Sequence, residues 1–249
     1  MMYSQPPIPA TFIRRVSRFS AIVLIQGREE YVYVPNSGRM KELLVPGALV
    51  YVMEARPGSD QSGGIGGAPA KDSPDDRPAR KTAFDLAMVQ LGSTLVSIDS
   101  RVPGLVLAEA VRGGSLRAFG GYRTCRPEVR FGESRLDFLL TGGPAPFLVE
   151  VKSVTLVVGG QARFPDAPTP RGARHLRELA RAVAEGYRAA VVFVIQREDV
   201  DSFAPNDETD PEFGRALREA AAAGVEVWPF RCRVTPDRVE IAQELPVRL

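Results

Sequence analysis

Three side chains near the middle of the sequence have the types and the spacing that metal-dependent hydrolysis uses. Asp137 lies inside one predicted strand, residues 135–140, and Glu150 and Lys152 lie near the end of the next, residues 147–152. Because side chains alternate along a strand, Glu150 and Lys152 share one face. If the two strands are neighbours, Asp137 and Glu150 can bind one hard cation. Lys152 can then orient a water or oppose the charge of a phosphate.

The Glu-x-Lys pair is weak evidence by itself, because a chain of this composition contains about 0.3 such pairs by chance. The alternative interpretation is an ion pair at an exposed strand end. Leu148, Val149 and Val151 argue against it, because they make this strand apolar enough to be buried. A buried carboxylate and ammonium are costly and are often retained for function.

The composition restricts which metal can bind. The chain has 249 residues, two cysteines and a single histidine, His175, which excludes a thiolate zinc site and a multi-histidine site. The remaining ligands are oxygens, which indicates Mg²⁺ or Mn²⁺. No segment approaches the roughly 20 apolar residues of a membrane span, and prolines interrupt the N-terminal stretch where a signal peptide is apolar. We therefore expect a cytoplasmic protein with no membrane partner.

Charge is unevenly distributed, although the net charge is only +2. Residues 101–135 and 163–197 each contain seven arginines and three acids, whereas residues 198–226 contain nine acids and two arginines. The two basic blocks indicate a cationic side that could contact a phosphate backbone. The alternative is an ordinary solvated surface in an arginine-rich chain, and charge alone favours that alternative.

Two short segments of the first hundred residues contain candidates for binding nucleic acid. Arg39 and Lys41 follow a tight turn, where they could contact phosphates. Tyr31 and Tyr33 lie on one face of a predicted strand, where they could stack on bases. The two tyrosines could equally belong to a hydrophobic core, and a core position is slightly favoured.

A predicted helix after residue 169 carries a second basic group. It contains Arg171, Arg174 and His175, which could contact phosphates near the cation. An isolated histidine on a helix is more often a partly buried structural residue, and that alternative is favoured for His175 on its own.

The elements that must position these residues change in character near residue 98. The first part contains short alternating or apolar segments separated by turns, at residues 19–25, 30–34, 48–53, 82–91 and 94–98. This pattern predicts a small β-barrel domain over residues 1–98. Residues 56–80 contain five Gly and four Pro without an apolar period, which predicts a flexible insertion.

Residues 99–249 alternate between strand and helix patterns. Helices are predicted at 105–112, from the N-cap Thr169 to Gly186, and from Asp210 to Ala223. Further strands are predicted at 189–196, a continuous apolar run, and at 225–230 as the last strand. The chain is therefore predicted to be an α/β (α+β) protein whose second domain has a central mixed sheet flanked by helices.

Five stretches of the sequence resemble the sugar fermentation stimulation protein A (SfsA) family, in the same order and over nearly the whole chain. They are PNSGRMKELLVPGALV at 35–50, SRLDFLL at 134–140, FLVEVKSVTLV at 147–157, RFPDAPTPRGARHLREL at 163–179 and the final LPVRL. The resemblance implies an N-terminal OB-fold followed by a domain like the PD-(D/E)xK nucleases. It also implies DNA binding, mainly through backbone contacts, and nuclease activity.

In the nuclease pattern an acid on a helix precedes the Asp and the Glu-x-Lys, and Glu109 matches that position. The resemblance therefore implies that Glu109, Asp137 and Glu150 hold Mg²⁺ or Mn²⁺. The backbone carbonyl of Val151 is expected as a further ligand, and Lys152 as the catalytic amine.

Three functions are consistent with the sequence. The leading hypothesis is a metal-dependent phosphodiesterase that acts on DNA, which the intact set of charged residues favours. The second is a non-enzymatic DNA-binding regulator of sugar-metabolism genes that retains a nuclease-like fold. The third is an interaction module of sugar metabolism, for which the sequence shows no sugar pocket. RNA as a further partner and the oligomeric state stay open.

Overall fold

The computed structural model describes residues 1–55 and 82–249. The insertion predicted at 56–80 lies outside the described residues, so it stays a prediction. Six strands form the first sheet: β1 (Ile8–Ser17), β2 (Ser20–Ile25), β3 (Arg28–Tyr33), β4 (Leu49–Glu54), β5 (Phe84–Leu91) and β6 (Thr94–Ser97).

The first sheet is a closed, OB-like barrel. Its strand order is β3-β2-β1-β4-β5-β6, and a pairing of β3 with β5 closes it. Inward-facing side chains such as Phe12, Val32 and Leu86 form the core. Strand β1 was not predicted from the sequence, because only Ala10 and Phe12 of its ten residues are buried and the apolar alternation is short.

Nine strands and three α-helices follow. The strands are β7 (Thr124–Phe131), β8 (Ser134–Thr141), β9 (Phe147–Val154), β10 (Val157–Val158), β11 (Gln161–Phe164), β12 (Arg188–Ile195), β13 (Ser202–Pro205), β14 (Glu226–Thr235) and β15 (Arg238–Glu244). The helices are α1 (Val102–Arg112), α2 (Pro170–Ala184) and α3 (Pro211–Ala222), with a 3-10 helix at Arg117–Phe119.

The central sheet of this part has the order β15-β14-β12-β9-β8-β7. Strands β9, β12 and β14 are parallel and the outer pairings are antiparallel, so the sheet is mixed as predicted. Strands β10, β11 and β13 form a small second sheet. The strand predicted at 225–230 is present as β14, but it is not the last strand. Charged residues alternate with buried ones after Phe230, and β14 continues to Thr235 and pairs with an edge strand, β15.

The central sheet has a helical layer on each face, which confirms the predicted α+β architecture. Alternate residues of β12 enter opposite layers, as its continuous apolar run indicates. Phe193 packs in the cluster that includes buried side chains of α2 and α3. Val192 packs in the cluster that includes buried side chains of α1. Glu150 and Lys152 have the parity of Leu148 in β9, so they lie on the α2 face.

Helix α2 begins as the sequence predicts. The Thr169 hydroxyl accepts a hydrogen bond from the Gly172 amide at 3.2 Å, and Pro170 occupies the first helical position. One side of the helix, which includes Leu176 and Leu179, is buried against the sheet. Across residues 1–55 and 82–249, no helix has both the length and the apolar composition that crossing a membrane requires.

Candidate metal and nucleic-acid site

Strands β8 and β9 bring two carboxylates together on the α2 face of the sheet. The strands are antiparallel, with Phe138 opposite Val149, so Asp137 comes to lie opposite Glu150. Asp137 Oδ2 accepts a hydrogen bond from the backbone amide of Val151 at 2.7 Å. The predicted convergence of Asp137 and Glu150 is therefore present in the structure.

The two oxygens of Glu150 have different environments. The side chain is buried, and Oε1 accepts a hydrogen bond from Lys152 Nζ at 2.6 Å. The same Oε1 also contacts His175 Nδ1 on helix α2. Oε2 is buried and has no hydrogen-bond partner in the part of the chain that the structure describes. One oxygen of Glu150 is therefore doubly engaged and the other is available.

The pKa values of the two carboxyl groups move in opposite directions. Burial, together with the neighbouring charge of Glu150, raises the pKa of Asp137 to about 7. Burial alone would raise the pKa of Glu150, but Lys152 and His175 outweigh it and hold that pKa below its usual range. The Val151 amide, Lys152 and Arg171 lower the pKa of Asp137, but burial and Glu150 outweigh them.

The oxygen atoms of Asp137 and Glu150 are suitable ligands for a hard divalent cation. Glu150 Oε2 is a buried acceptor with no donor among the residues that the structure describes, and such groups are rare in folded proteins unless an ion or water satisfies them. Asp137 uses only Oδ2 for the Val151 amide, which leaves Oδ1 for a second bond. Since the amide and the carbonyl of one strand residue point to the same side, the Val151 carbonyl is also directed towards β8.

Glu109 does not belong to this group, so its prediction as the third carboxylate is wrong. Its helix, α1, packs through Val106 and Leu107 on the opposite face of the central sheet from Glu150. The Glu109 side chain is 61% exposed and forms an ion pair with the amino group of Met1. That amino group also donates to the carbonyl of Val239 on β15, four strands away from β8.

His175 is not available to nucleic acid, which corrects its prediction as a phosphate contact. The side chain is 2% exposed, and the sheet covers it. Arg171 Nε donates to His175 Nε2 at 3.2 Å. A guanidinium nitrogen only donates, so Nε2 is the unprotonated nitrogen and Nδ1 carries the hydrogen that it donates to Glu150.

Four of the predicted basic residues lie on the surface. The side chains of Arg39, Lys41, Arg171 and Arg174 are all exposed. Within residues 1–55 and 82–249 none of the four forms an ion pair with a carboxylate, unlike Arg177, which pairs with Glu212. Their charges are therefore available to an anionic partner.

The two tyrosines of β3 lie on the outside of the barrel, so the slight preference for a core position is wrong. Val32 between them takes the core position. The Tyr31 side chain is 45% exposed. Tyr33 is half-buried and stacks on Phe19, which is 44% exposed, with 6.3 Å between the ring centroids. The result is an exposed aromatic surface, here called the aromatic platform, made of Phe19, Tyr31 and Tyr33.

The loop at 36–40 is anchored to the barrel by Asn36 and contacts the second part of the chain through Met40. The Asn36 side chain donates to the carbonyl of Ile98 at 2.7 Å, and the Met40 amide donates to Asp166 at 3.3 Å. Asp166 lies just before α2, so Arg39 and Lys41 are held on the side of the molecule where α2 begins. The sequence suggested a turn here, and nothing local indicated which surface it contacts.

A buried amide fixes the strand that carries Glu150. Gln196 accepts a hydrogen bond from Ser97 Oγ at 2.8 Å and donates to Ser153 Oγ at 2.9 Å. Ser97 ends the barrel and Ser153 follows Lys152 in β9. In the sequence, the only indication of these hydrogen bonds is that Gln196 stands at the end of a buried apolar run.

Comparison with known proteins agrees with this architecture. Residues 13–98 match the SfsA N-terminal OB domain, and residues 101–238 match the sugar fermentation stimulation protein RE domain. The chain belongs to the SfsA family. Its OB-like barrel and its mixed sheet correspond to the two parts of that family.

Relatives of this SfsA-family chain are similar over nearly their whole length. It is 52% identical over 248 residues to a sugar fermentation stimulation protein homolog of Symbiobacterium thermophilum, covering 96% of this chain and 94% of the relative. It is 48% identical over 243 residues to the homolog of Moorella thermoacetica, covering 97% of each. The structure of Pyrococcus furiosus SfsA in complex with Ca²⁺ matches with a TM-score of 0.85 and 30% identity, covering 100% of this chain and 98% of that one.

Proposed function

We propose that this SfsA-family protein is a metal-dependent phosphodiesterase that acts on DNA. The observation that carries the proposal is the pair of carboxylates on β8 and β9, beside Lys152, with Glu150 Oε2 buried and without a partner in residues 1–55 and 82–249. A pair of carboxylates of this kind can bind a hard cation, and an amine beside it is suited to phosphoryl chemistry.

Asp137 and Glu150 would hold the cation, Mg²⁺ or Mn²⁺, with the carbonyl of Val151 as the third protein oxygen. When bound, the cation polarises a phosphate oxygen and lowers the pKa of a water. The related Pyrococcus furiosus protein was solved in complex with Ca²⁺, another hard ion that prefers oxygen ligands. That precedent supports a divalent cation in this chain as well.

Lys152 supplies the positive charge next to the two carboxylates. Its side chain is 13% exposed, and its ammonium lies 2.6 Å from Glu150 Oε1, which holds it beside the two carboxylates. From there it can hold the attacking water by hydrogen bonding and oppose the charge that grows on the phosphate. The buried surroundings strengthen both interactions because water screens them little.

The exposed cations and the aromatic platform would bind the nucleic acid. Arg171 and Arg174 lie on the first turns of α2, whose buried side faces Glu150 through His175. Arg39 and Lys41 flank Met40, whose amide donates to Asp166, four residues before α2 begins. Phosphate contacts from such cations fix the position of the backbone and carry little sequence information. The platform adds stacking, which favours unpaired bases.

The test is a cleavage assay of the purified protein on single-stranded, duplex and branched DNA and on RNA. Each substrate is incubated with Mg²⁺, Mn²⁺ or a chelator, and Asp137→Asn is compared with Glu244→Gln, an exposed strand carboxylate outside the site. We expect cleavage with the metals by the wild type and by Glu244→Gln only. Cleavage that survives chelation or Asp137→Asn would contradict the proposal.

One observation favours a second candidate, a DNA-binding regulator that retains the fold without cutting. In the described part of the chain no three His, Cys, Asp or Glu side chains form a metal-binding group, and Glu109 lies across the sheet. Two carboxylates bind a cation more weakly than three. Salt-dependent DNA binding without cleavage under any metal would select this function.

A further inference from the structure

His175 is the link between the surface of α2 and the carboxylate of Glu150. It is the only histidine of the chain, and its side chain is 2% exposed. Its two ring nitrogens have different partners. Nδ1 contacts Glu150 Oε1, and Nε2 lies 3.2 Å from Arg171 Nε.

The chemistry of the three side chains determines which atom donates in each of these hydrogen bonds. Arg171 can only donate, so His175 Nε2 must accept and His175 Nδ1 must donate to Glu150. The series Arg171 to His175 to Glu150 therefore runs from the protein surface inwards. Each member determines the orientation of the next.

As a consequence, the two carboxylate oxygens of Glu150 are not equivalent. Oε1 receives hydrogen bonds from both Lys152 and His175, while Oε2 receives none among residues 1–55 and 82–249. A buried carboxylate on a strand can rotate about its last side-chain bond. Lys152 alone could follow either oxygen with its flexible stem, whereas the imidazole is a rigid ring clamped between α2 and the sheet.

We infer that His175 is a positioning residue that holds Glu150 Oε1, so that Oε2 alone faces a divalent cation. The inference rests on the cation site of the proposed function and deepens it. Groups that orient metal ligands in this way generally contribute 10–100-fold to metal affinity. The ligand class is a hard divalent cation, bound by a single oxygen of Glu150.

The first test is the tautomer of the imidazole, because a protein with one histidine gives one pair of imidazole nitrogen signals. A long-range ¹H–¹⁵N spectrum of metal-free, histidine-labelled protein at neutral pH should show the hydrogen on Nδ1. A hydrogen on Nε2, or an imidazole that averages both forms, would overturn the inference.

The second test is cation affinity, measured by calorimetric titration of the purified full chain with Mn²⁺ and without nucleic acid. His175→Asn places an amide N–H near the position of Nδ1 and should bind Mn²⁺ within about threefold of the wild type. His175→Ala and His175→Gln cannot donate from that position and should bind about 10–100-fold more weakly. Arg177→Ala, which removes an exposed arginine of α2 that pairs with Glu212, is the matched control and should bind as the wild type does.

The comparison of His175→Asn with His175→Gln keeps the test decisive if His175→Ala does not fold, because both keep a polar side chain at this buried position. Equal affinity of His175→Gln and the wild type would overturn the inference, as would equal weakening by His175→Asn and His175→Gln. A wild type that binds no Mn²⁺ would overturn it together with the cation site. A wild type that binds Mn²⁺ with the expected order of variants, but cuts nothing, would overturn only the proposed cleavage.

Discussion

The carboxylate of Asp137 accepts a hydrogen bond from the backbone amide of Val151, with 2.7 Å between oxygen and nitrogen. Val151 is the residue between Glu150 and Lys152, so this bond ties the carboxylate of β8 to the strand segment that carries the other two charged groups. It explains how two half-buried or buried acids of like charge are held next to each other.

Asp137 should make the stability of the metal-free protein depend on pH. Burial and Glu150 raise the pKa of Asp137 from 3.8 to about 7. A carboxyl whose pKa is higher in the folded than in the unfolded state stabilises below the unfolded pKa, and the contribution is lost as pH rises through the folded pKa. Asp137→Asn has no carboxyl group at this position, so it does not lose this stabilising contribution as pH rises. Its free energy of unfolding relative to wild type should rise by about 2 kcal/mol between pH 5.5 and pH 8.5.

The measurement for Asp137 is urea unfolding with chelator present, at both pH values. Asp237→Asn is the control, because the pKa of Asp237 is lowered by its hydrogen bond from Thr235 and its titration lies below this window. A difference between Asp137→Asn and wild type that stays constant with pH would contradict the assignment of the raised pKa.

Substitutions at Lys152 and Lys41 should have different effects, one on the rate of cleavage and the other on DNA binding. Lys152→Ala removes the ammonium beside Glu150 and should reduce the turnover rate on DNA by at least about 100-fold, with the DNA dissociation constant changed less than about threefold. Lys41→Ala removes an exposed cation and should weaken DNA binding with turnover at saturating substrate unchanged. Single-turnover kinetics and a binding titration measure the two quantities. Parallel loss of binding and turnover in Lys152→Ala would argue against its catalytic role.

Arg174 should contribute one phosphate contact. Its side chain is exposed on α2 without a carboxylate partner in the described ranges. Arg174→Gln should therefore lower the slope of log affinity against log salt concentration by about 0.7–0.9. Arg215, which is 65% exposed and paired with Glu212, is the matched arginine, and Arg215→Gln should leave the slope unchanged. Identical slopes of log affinity against log salt concentration for the wild type and Arg174→Gln would show that Arg174 does not contact the DNA backbone.

The aromatic platform should favour unpaired nucleotides. Tyr31→Ala removes an exposed ring and should weaken binding of single-stranded DNA by about 1–3 kcal/mol, with a much smaller effect on duplex DNA. Leu105→Ala removes an exposed apolar side chain on α1 and serves as the control. Equal effects of Tyr31→Ala on single-stranded and duplex DNA would exclude base stacking at this position.

Local patterns in the sequence were sufficient wherever a property belongs to one segment. The turn-separated strands predicted the barrel, the capping residues Thr169 and Pro170 predicted the start of α2, and the apolar run of β12 predicted a strand buried on both faces. Period-two alternation placed Glu150 and Lys152 on one face, and strand order along the chain placed Asp137 next to them.

Relations between distant segments required the tertiary structure. No local pattern indicates which face of the sheet α1 covers, and that packing separates Glu109 from the other carboxylates. The burial of His175, the outward position of Tyr31 and the link from Gln196 to Ser97 and Ser153 likewise depend on contacts between elements far apart in the chain. A residue's type and spacing determine the chemistry that it can perform. Packing determines which partners surround it, and therefore whether that chemistry faces a metal, a base or the core.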